Sequence, residues 1–107
     1  IGVAYKKNID DTRESPALEI MNILKNKNIN FDYHDPYIKI LQSFRKYSFK
    51  KKSIILNKAN LKKYIATIIV TDHDTINYKN ILSHSNKVFD CRGTLDYLVN
   101  KTKIINL

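Results

Sequence analysis

Glycine is almost missing from this chain: Gly2 and Gly93 are the only two in 107 residues. A G-x-G-x-x-G turn, which lets a helix N-terminus approach a dinucleotide pyrophosphate, is thereby excluded. Cysteine is scarcer still. Cys91 stands alone, so no internal disulfide can form and a secreted disulfide scaffold is ruled out. Metal sites of clustered thiolates fail for the same reason, and no metal is expected. Long apolar runs are absent too: residues 66–70 fall far short of the roughly 20 that a spanning helix needs, so no membrane partner is expected. The opening Ile1-Gly2-Val3-Ala4 turns basic at once, unlike a secretory leader. It begins without Met and in an apolar run, so the chain is expected to be a cytoplasmic piece of a longer protein.

Arginine is rare as well. Only Arg13, Arg45 and Arg92 stand beside 16 lysines, within a formal charge of +9. Such a charge invites a phosphate backbone, but arginine is the residue best suited to bidentate base and phosphate contacts. Lysine, asparagine and isoleucine all have A/T-rich codons, so genome composition accounts for the bias without any specific nucleic acid. The lysines are also dispersed, apart from Lys50-Lys51-Lys52 and Lys62-Lys63. A basic α/β module for nucleic acid or another polyanion stays as the alternative function.

What is present suits one domain spanning residues 1–107. Residues 1–5 are apolar and lead into a polar loop, residues 6–14. Ser15-Pro16 reads as a helix N-cap followed by proline at the first helical position. Ala17, Ile20, Met21 and Leu24 then repeat at helical spacing, and Lys25, Lys27 and Asn28 close the helix. Residues 31–34 read as a strand stopped by Asp35-Pro36. Residues 37–53 are the least regular: Ile38, Ile40, Leu41 and Phe44 suit a short helix or a loop. A short strand at 53–56, a brief helix at 57–64 and a β-branched strand at 67–71 follow. Asp74-Thr75 is expected to cap a helix carrying Ile76, Tyr78, Ile81 and Leu82. A strand at 88–89, a helical turn at 95–99 and a last strand at 104–105 complete the pattern. Strands alternating with helices predict an α/β, three-layer Rossmann-like sandwich with a mostly parallel sheet.

In such a sheet, ligands bind beyond the carboxyl ends of the strands. That selects the loops after Tyr5, His34, Thr71 and Asp90. The first carries Lys6, Lys7 and Arg13 beside a helix N-terminus, which is the chemistry of an anion site. Without a glycine turn, that site must work through side-chain charge. The plainer alternative is that Lys6 and Arg13 only pair with Asp10, Asp11 and Glu14 on a solvated loop.

The run Gly2-Val3-Ala4-Tyr5-Lys6-Lys7-Asn8-Ile9-Asp10-Asp11-Thr12-Arg13-Glu14-Ser15-Pro16-Ala17-Leu18-Glu19-Ile20 resembles the opening of the C-terminal domain of the UDP-glucose/GDP-mannose dehydrogenase family. Tyr33-His34-Asp35-Pro36-Tyr37, Val70-Thr71-Asp72-His73 and Phe89-Asp90-Cys91-Arg92 agree in order and spacing. The Tyr-Lys-Lys form and His-Asp-Pro-Tyr look more like the UDP-N-acetylhexosamine 6-dehydrogenase branch, since bacterial UDP-glucose enzymes more often have Phe-Lys-Pro.

The resemblance implies an oxidoreductase that turns the C6 alcohol of a UDP-sugar into a carboxylate with two NAD⁺ in succession, usually for surface polysaccharide synthesis. It further implies an NAD-binding domain and a central dimerising region elsewhere in the same chain, with this C-terminal domain binding the nucleotide sugar. Tyr5, Lys6 and Arg92 match positions that contact the UDP-sugar, and Arg13 one that reaches NAD. No catalytic residue is carried over. Cys91 does not match the family's nucleophile and is read as a spacer, so the piece alone is expected to bind without turnover. His34 and His73 receive no family role and are expected to make loop hydrogen bonds.

Overall fold

A computed structural model describes residues 1–42, 47 and 50–95, together with the backbone of 104–106. The first helix, α1 (Pro16–Asn26), forms where the sequence predicts it. The Ser15 hydroxyl accepts from the Ala17 amide at 3.2 Å, and Pro16 takes a position where its missing N–H costs nothing. At the far end Asn28 adopts φ 57°, its amide donates to Lys25 O (3.0 Å), and the Ile29 amide reaches back to Leu24 O (2.9 Å). This is a Schellman closure with asparagine in the left-handed position.

Residues 37–53, open between helix and loop in the sequence, instead contain an antiparallel pair, β1 (Ile40–Leu41) and β2 (Lys51–Lys52). Leu41 is buried and Ile40 exposed, the period of two that a half-buried strand requires. Phe44 lies outside the described residues. The strand expected at 53–56 does not form: Ser53 and Ile54 end the ladder by donating to Lys39 O and Tyr33 O. The strand expected at 31–34 contracts to one parallel bridge, Tyr33 with Ser53.

Two short helices, α2 (Lys58–Lys63) and α3 (Tyr78–His84), are capped by Asn57 and Asn77. Isolated helices so short are unstable in water, so packing must hold them. Leu61 and the fully buried Ile81 provide it. The expected cap at Asp74-Thr75 is displaced by three residues. Asp74 is already occupied, receiving Asn8 Nδ2 at 2.7 Å and Lys7 Nζ at 3.4 Å. A tertiary contact has outcompeted the local cap.

The strands β3 (Thr67–Ile69), β4 (Val88–Asp90) and β5 (Ile104–Asn106) form a parallel sheet in the order β3-β4-β5. The turn expected at 95–99 lies outside the described residues beyond Leu95. Residues 1–3 continue the sheet by single bonds: the Ile1 nitrogen donates to Ile68 O, Val70 N to Ile1 O, and Gly2 N to His34 O. They make no regular strand because Gly2 stands at φ 82°. Two core clusters lie along β3. Val70 joins Val3, Ala17, Leu18 and Met21, with Ile68 packed beside them, whereas Ile69 joins Leu61, Ile81 and Val88. Successive side chains thus face opposite ways, with α1 in one cluster and α2 and α3 in the other. The architecture is α/β with parallel pairing, consistent with a Rossmann-like fold.

Gly2 permits a close approach of the first segment to Thr71. A Cβ there would stand 2.1 Å from Thr71 O, in a backbone conformation that L-residues rarely adopt. Gly2→Ala should therefore cost about 2 kcal/mol or more. Urea unfolding checks this, and an unchanged midpoint would refute the contact.

Candidate functional site

The loops beyond the strand ends are organised from beneath by buried carboxylates. Asp35, 1% exposed, follows the Tyr33 bridge. Its Oδ1 accepts from the amides of Tyr37 (2.8 Å) and Ile38 (3.2 Å), and Pro36, directly after Asp35, has no N–H to compete. This is an Asx-type turn, the local reason for Asp followed by Pro. Its Oδ2 accepts from the Val3 amide (2.8 Å), the Ala4 amide (3.2 Å) and His73 Nε2 (2.8 Å). One carboxylate therefore joins the first segment, the turn after residue 35 and the loop after β3. Asp90, equally buried, does a smaller version of this: it accepts from the amides of Arg92, Thr94 and Leu95.

Residues 5–14 fold over this base. The Tyr5 amide donates to Asp11 O (2.7 Å), and the Ala4 carbonyl accepts from the Thr71 and Ser15 hydroxyls. Asn8 and Glu14 both take positive φ, 66° and 62°. The Asn8 amide donates to His73 Nδ1 (2.8 Å), and its side chain exchanges bonds with Asp74. His34 donates from Nδ1 to Ile54 O at 2.6 Å.

The cations lie outside, in water. Tyr5 is 53% exposed and Lys6 is exposed. Arg13 gives its amide, Nε and Nη2 to the Asp11 carboxylate at 2.9–3.0 Å. Those bonds hold Asp11 at about 2, below the usual carboxylate range, and raise Arg13. The solvated pairing considered from sequence is thus present for Arg13. Among the described residues no ion pair holds Lys6. Its neighbour Lys7 sits 3.4 Å from Asp74, and Arg92 Nε sits 3.6 Å from Asp72. Among the described residues no hydrogen bond or ion pair joins Tyr5, Lys6 and Arg92 to one another. The first loop and the Arg92 loop instead flank residues 72–74 from two sides. Pairs this exposed are weak and screened by water, so an arriving anion can redirect them.

Beside them lies an open depression of about 420 Å³, lined by Asp72, Asp74, Ile76, Asn77, Tyr78, Lys79 and Thr94. Thr94 Oγ1 is buried there with no hydrogen-bond partner among the described residues. Two carboxylates against one lysine make the depression itself a poor anion site, so the cations at its edge would have to do that work. Cys91 is half-buried, and burial followed by the Asp90 carboxylate pushes its thiol up, away from a reactive thiolate. Among the described residues no cluster of His, Cys, Asp or Glu could hold a metal ion, and no helix is long and apolar enough to cross a membrane. Sequence reasoning left Asp35, Asp90 and Asn8 without a role. The Asp-Pro pair carried a local signal and Asp90 bonds within its own turn, but the bonds of Asp35 Oδ2 and of Asn8 are made across the fold.

The family model described as UDP-glucose/GDP-mannose dehydrogenase family, UDP binding domain, matches residues 1–97. A UDP-N-acetyl-D-mannosamine dehydrogenase of Methanococcus aeolicus is 29% identical over 106 residues, covering 90% of this chain and 22% of its own length. The enzyme of the same name from Methanococcus vannielii is 32% identical over 73 residues, 68% of this chain and 15% of its own. That from Pyrococcus horikoshii is 44% identical over 39 residues, 36% of this chain and 9% of its own. The chain thus spans about a fifth or less of the curated relatives it matches. No solved structure matches it.

The matched span includes the whole Asp35 network. In Asp35→Asn, one oxygen becomes an NH₂ group facing backbone donors, leaving buried N–H groups unpaired. We expect a loss of about 3 kcal/mol or more, read as a fall in the urea midpoint. A change within about 0.5 kcal/mol would show that the network carries little of the stability.

Proposed function

The chain belongs to the UDP-glucose/GDP-mannose dehydrogenase family, and from that premise we propose that it binds the diphosphate of a UDP-sugar for an NAD-dependent 6-dehydrogenase. UDP-N-acetylhexosamine is the favoured substrate, because the relatives are named UDP-N-acetyl-D-mannosamine dehydrogenase. UDP-glucose is the other candidate. The observation that carries this reading is the exposed Lys6, held by no ion pair among the described residues, on a loop braced from below and ending at the N-cap of α1. Lys6 would bring a mobile ammonium to the diphosphate and Arg92 a forked guanidinium, released from its weak bond to Asp72. The helix dipole adds to both. Tyr5, half-exposed beside Lys6, would flank the nucleotide.

The cofactor fits this chain only at its edge. NAD⁺, when bound, accepts the hydride from the sugar, but no glycine-rich turn is present to cradle its pyrophosphate. Arg13 spends Nε and Nη2 on Asp11, which leaves its remaining N–H groups to reach a cofactor held by another domain. That NAD-binding domain, a homodimer through a central region and a cytoplasmic location complete the proposal. We take the fold to be a three-layer Rossmann-like sandwich, supported by the two core clusters that alternate along β3. No observation favours the nucleic-acid alternative.

Lys6→Ala and Arg92→Ala, each made in the intact protein, should weaken UDP-sugar binding about 10- to 150-fold, the worth of a charge-assisted phosphate contact. Calorimetry with UDP-N-acetyl-D-mannosamine tests this, and unchanged affinity in both would remove the site. Arg13→Ala should weaken NAD⁺ more than the UDP-sugar. Equal effects on the two ligands would mean that Arg13 only braces its loop through Asp11.

A further inference from the structure

His73 is fully buried, and its two ring nitrogens face different partners. Nδ1 lies 2.8 Å from the Asn8 amide nitrogen and Nε2 lies 2.8 Å from Asp35 Oδ2. A backbone N–H can only donate, so Nδ1 must be the unprotonated acceptor. The ring proton therefore sits on Nε2 and goes to the carboxylate. The ring cannot turn away from this arrangement easily. The Tyr78 hydroxyl donates to the His73 carbonyl at 2.7 Å, and the Tyr37 ring is tilted against the imidazole with centroids 4.8 Å apart. The chain of bonds has a direction: Asp35 fixes the tautomer, and the tautomer leaves a lone pair for Asn8.

Asn8 needs that support. It stands at φ 66°, a left-handed conformation that costs even asparagine some free energy relative to the extended or helical regions. Its side chain and that of Lys7 are both committed to Asp74, so the two residues after Lys6 are anchored while Lys6 itself projects into solvent. We propose that His73 is a positioning residue: in its Nε2–H tautomer it holds the Asn8 amide and so sets the loop conformation from which Lys6 meets the diphosphate. The proposal rests on the reading of Lys6 as a diphosphate ligand, and it adds a buried histidine that touches neither substrate nor cofactor.

Two measurements test it. In the wild-type protein, nitrogen-detected NMR should find Nδ1 unprotonated and a scalar coupling across the N–H···N bond between Asn8 and His73. An Nδ1–H tautomer, or no coupling, would overturn the proposal without any variant. The second compares His73→Asn with His73→Gln in the intact protein. The Asn carbonyl can take the place of Nδ1 and accept from Asn8, whereas Gln reaches Asp35 but leaves the Asn8 amide unpaired. His73→Gln should raise KM for UDP-N-acetyl-D-mannosamine about three- to tenfold, the worth of one lost hydrogen bond. His73→Asn should recover most of that, and kcat and KM for NAD⁺ should change less. Equal KM values in the two variants, or a wild-type KM in His73→Gln, would overturn the positioning role. Lys6→Ala measured alongside separates the layers. A raised KM there with a normal His73→Gln removes only the role of His73, and an unchanged KM in Lys6→Ala removes the diphosphate reading and this inference together.

Discussion

The Asp35 carboxylate is the constraint on which the rest depends. A buried charge without partners would cost more than a small domain's net stability of about 5–15 kcal/mol. It is tolerable only when its lone pairs are filled, and here five N–H donors fill them. Those donors come from three stretches far apart in the chain. The satisfaction of one side chain therefore decides where residues 3–4 lie, how the chain turns after residue 35, and where His73 stands. Gly2 belongs to the same constraint, because only a residue without Cβ lets the first segment come this close to Thr71.

Above this fixed layer the charges are movable. Lys7–Asp74, Arg13–Asp11 and Arg92–Asp72 are all at least partly in water, where such pairs are weak and readily exchanged. The sign of the Asp11 shift agrees with a pair intact at neutral pH. Its carboxyl is held at about 2 in the folded chain, below the unfolded 3.8, so its contribution is full above the higher value and is lost as pH falls through the lower. Rigid anions below and exchangeable cations above give a chain with two glycines a way to present charge without a glycine-rich cradle. The protein stores its order in buried hydrogen bonds and keeps Lys7, Arg13 and Arg92 in weaker pairs at the surface.

Local chemistry was legible wherever residues within one turn of each other decided the outcome. Ser15-Pro16 started α1 and Asn28 ended it because cap geometry depends on neighbours in sequence. The alternation of Ile68, Ile69 and Val70 was legible for the same reason, since a strand's period of two belongs to its backbone. Asp74-Thr75 misled because its side chain had two possible partners. The amide next door offered a cap, but Asn8 and Lys7 arrived from 66 and 67 residues away and took it. The β1–β2 pair was equally hidden, because Ile40 and Lys52 meet only once the chain has folded back.

By itself, then, the sequence determined α1, the succession β3-α3-β4, the family motifs and the candidates Tyr5, Lys6, Arg13 and Arg92. Each of these is written in residue type and short spacing. Only the tertiary structure decided that Lys7 rather than Lys6 is tied down, and that His73 stands between Asp35 and Asn8. Those outcomes are competitions for a limited number of hydrogen-bond partners. The winner depends on distances across the fold, which no local pattern of residues encodes.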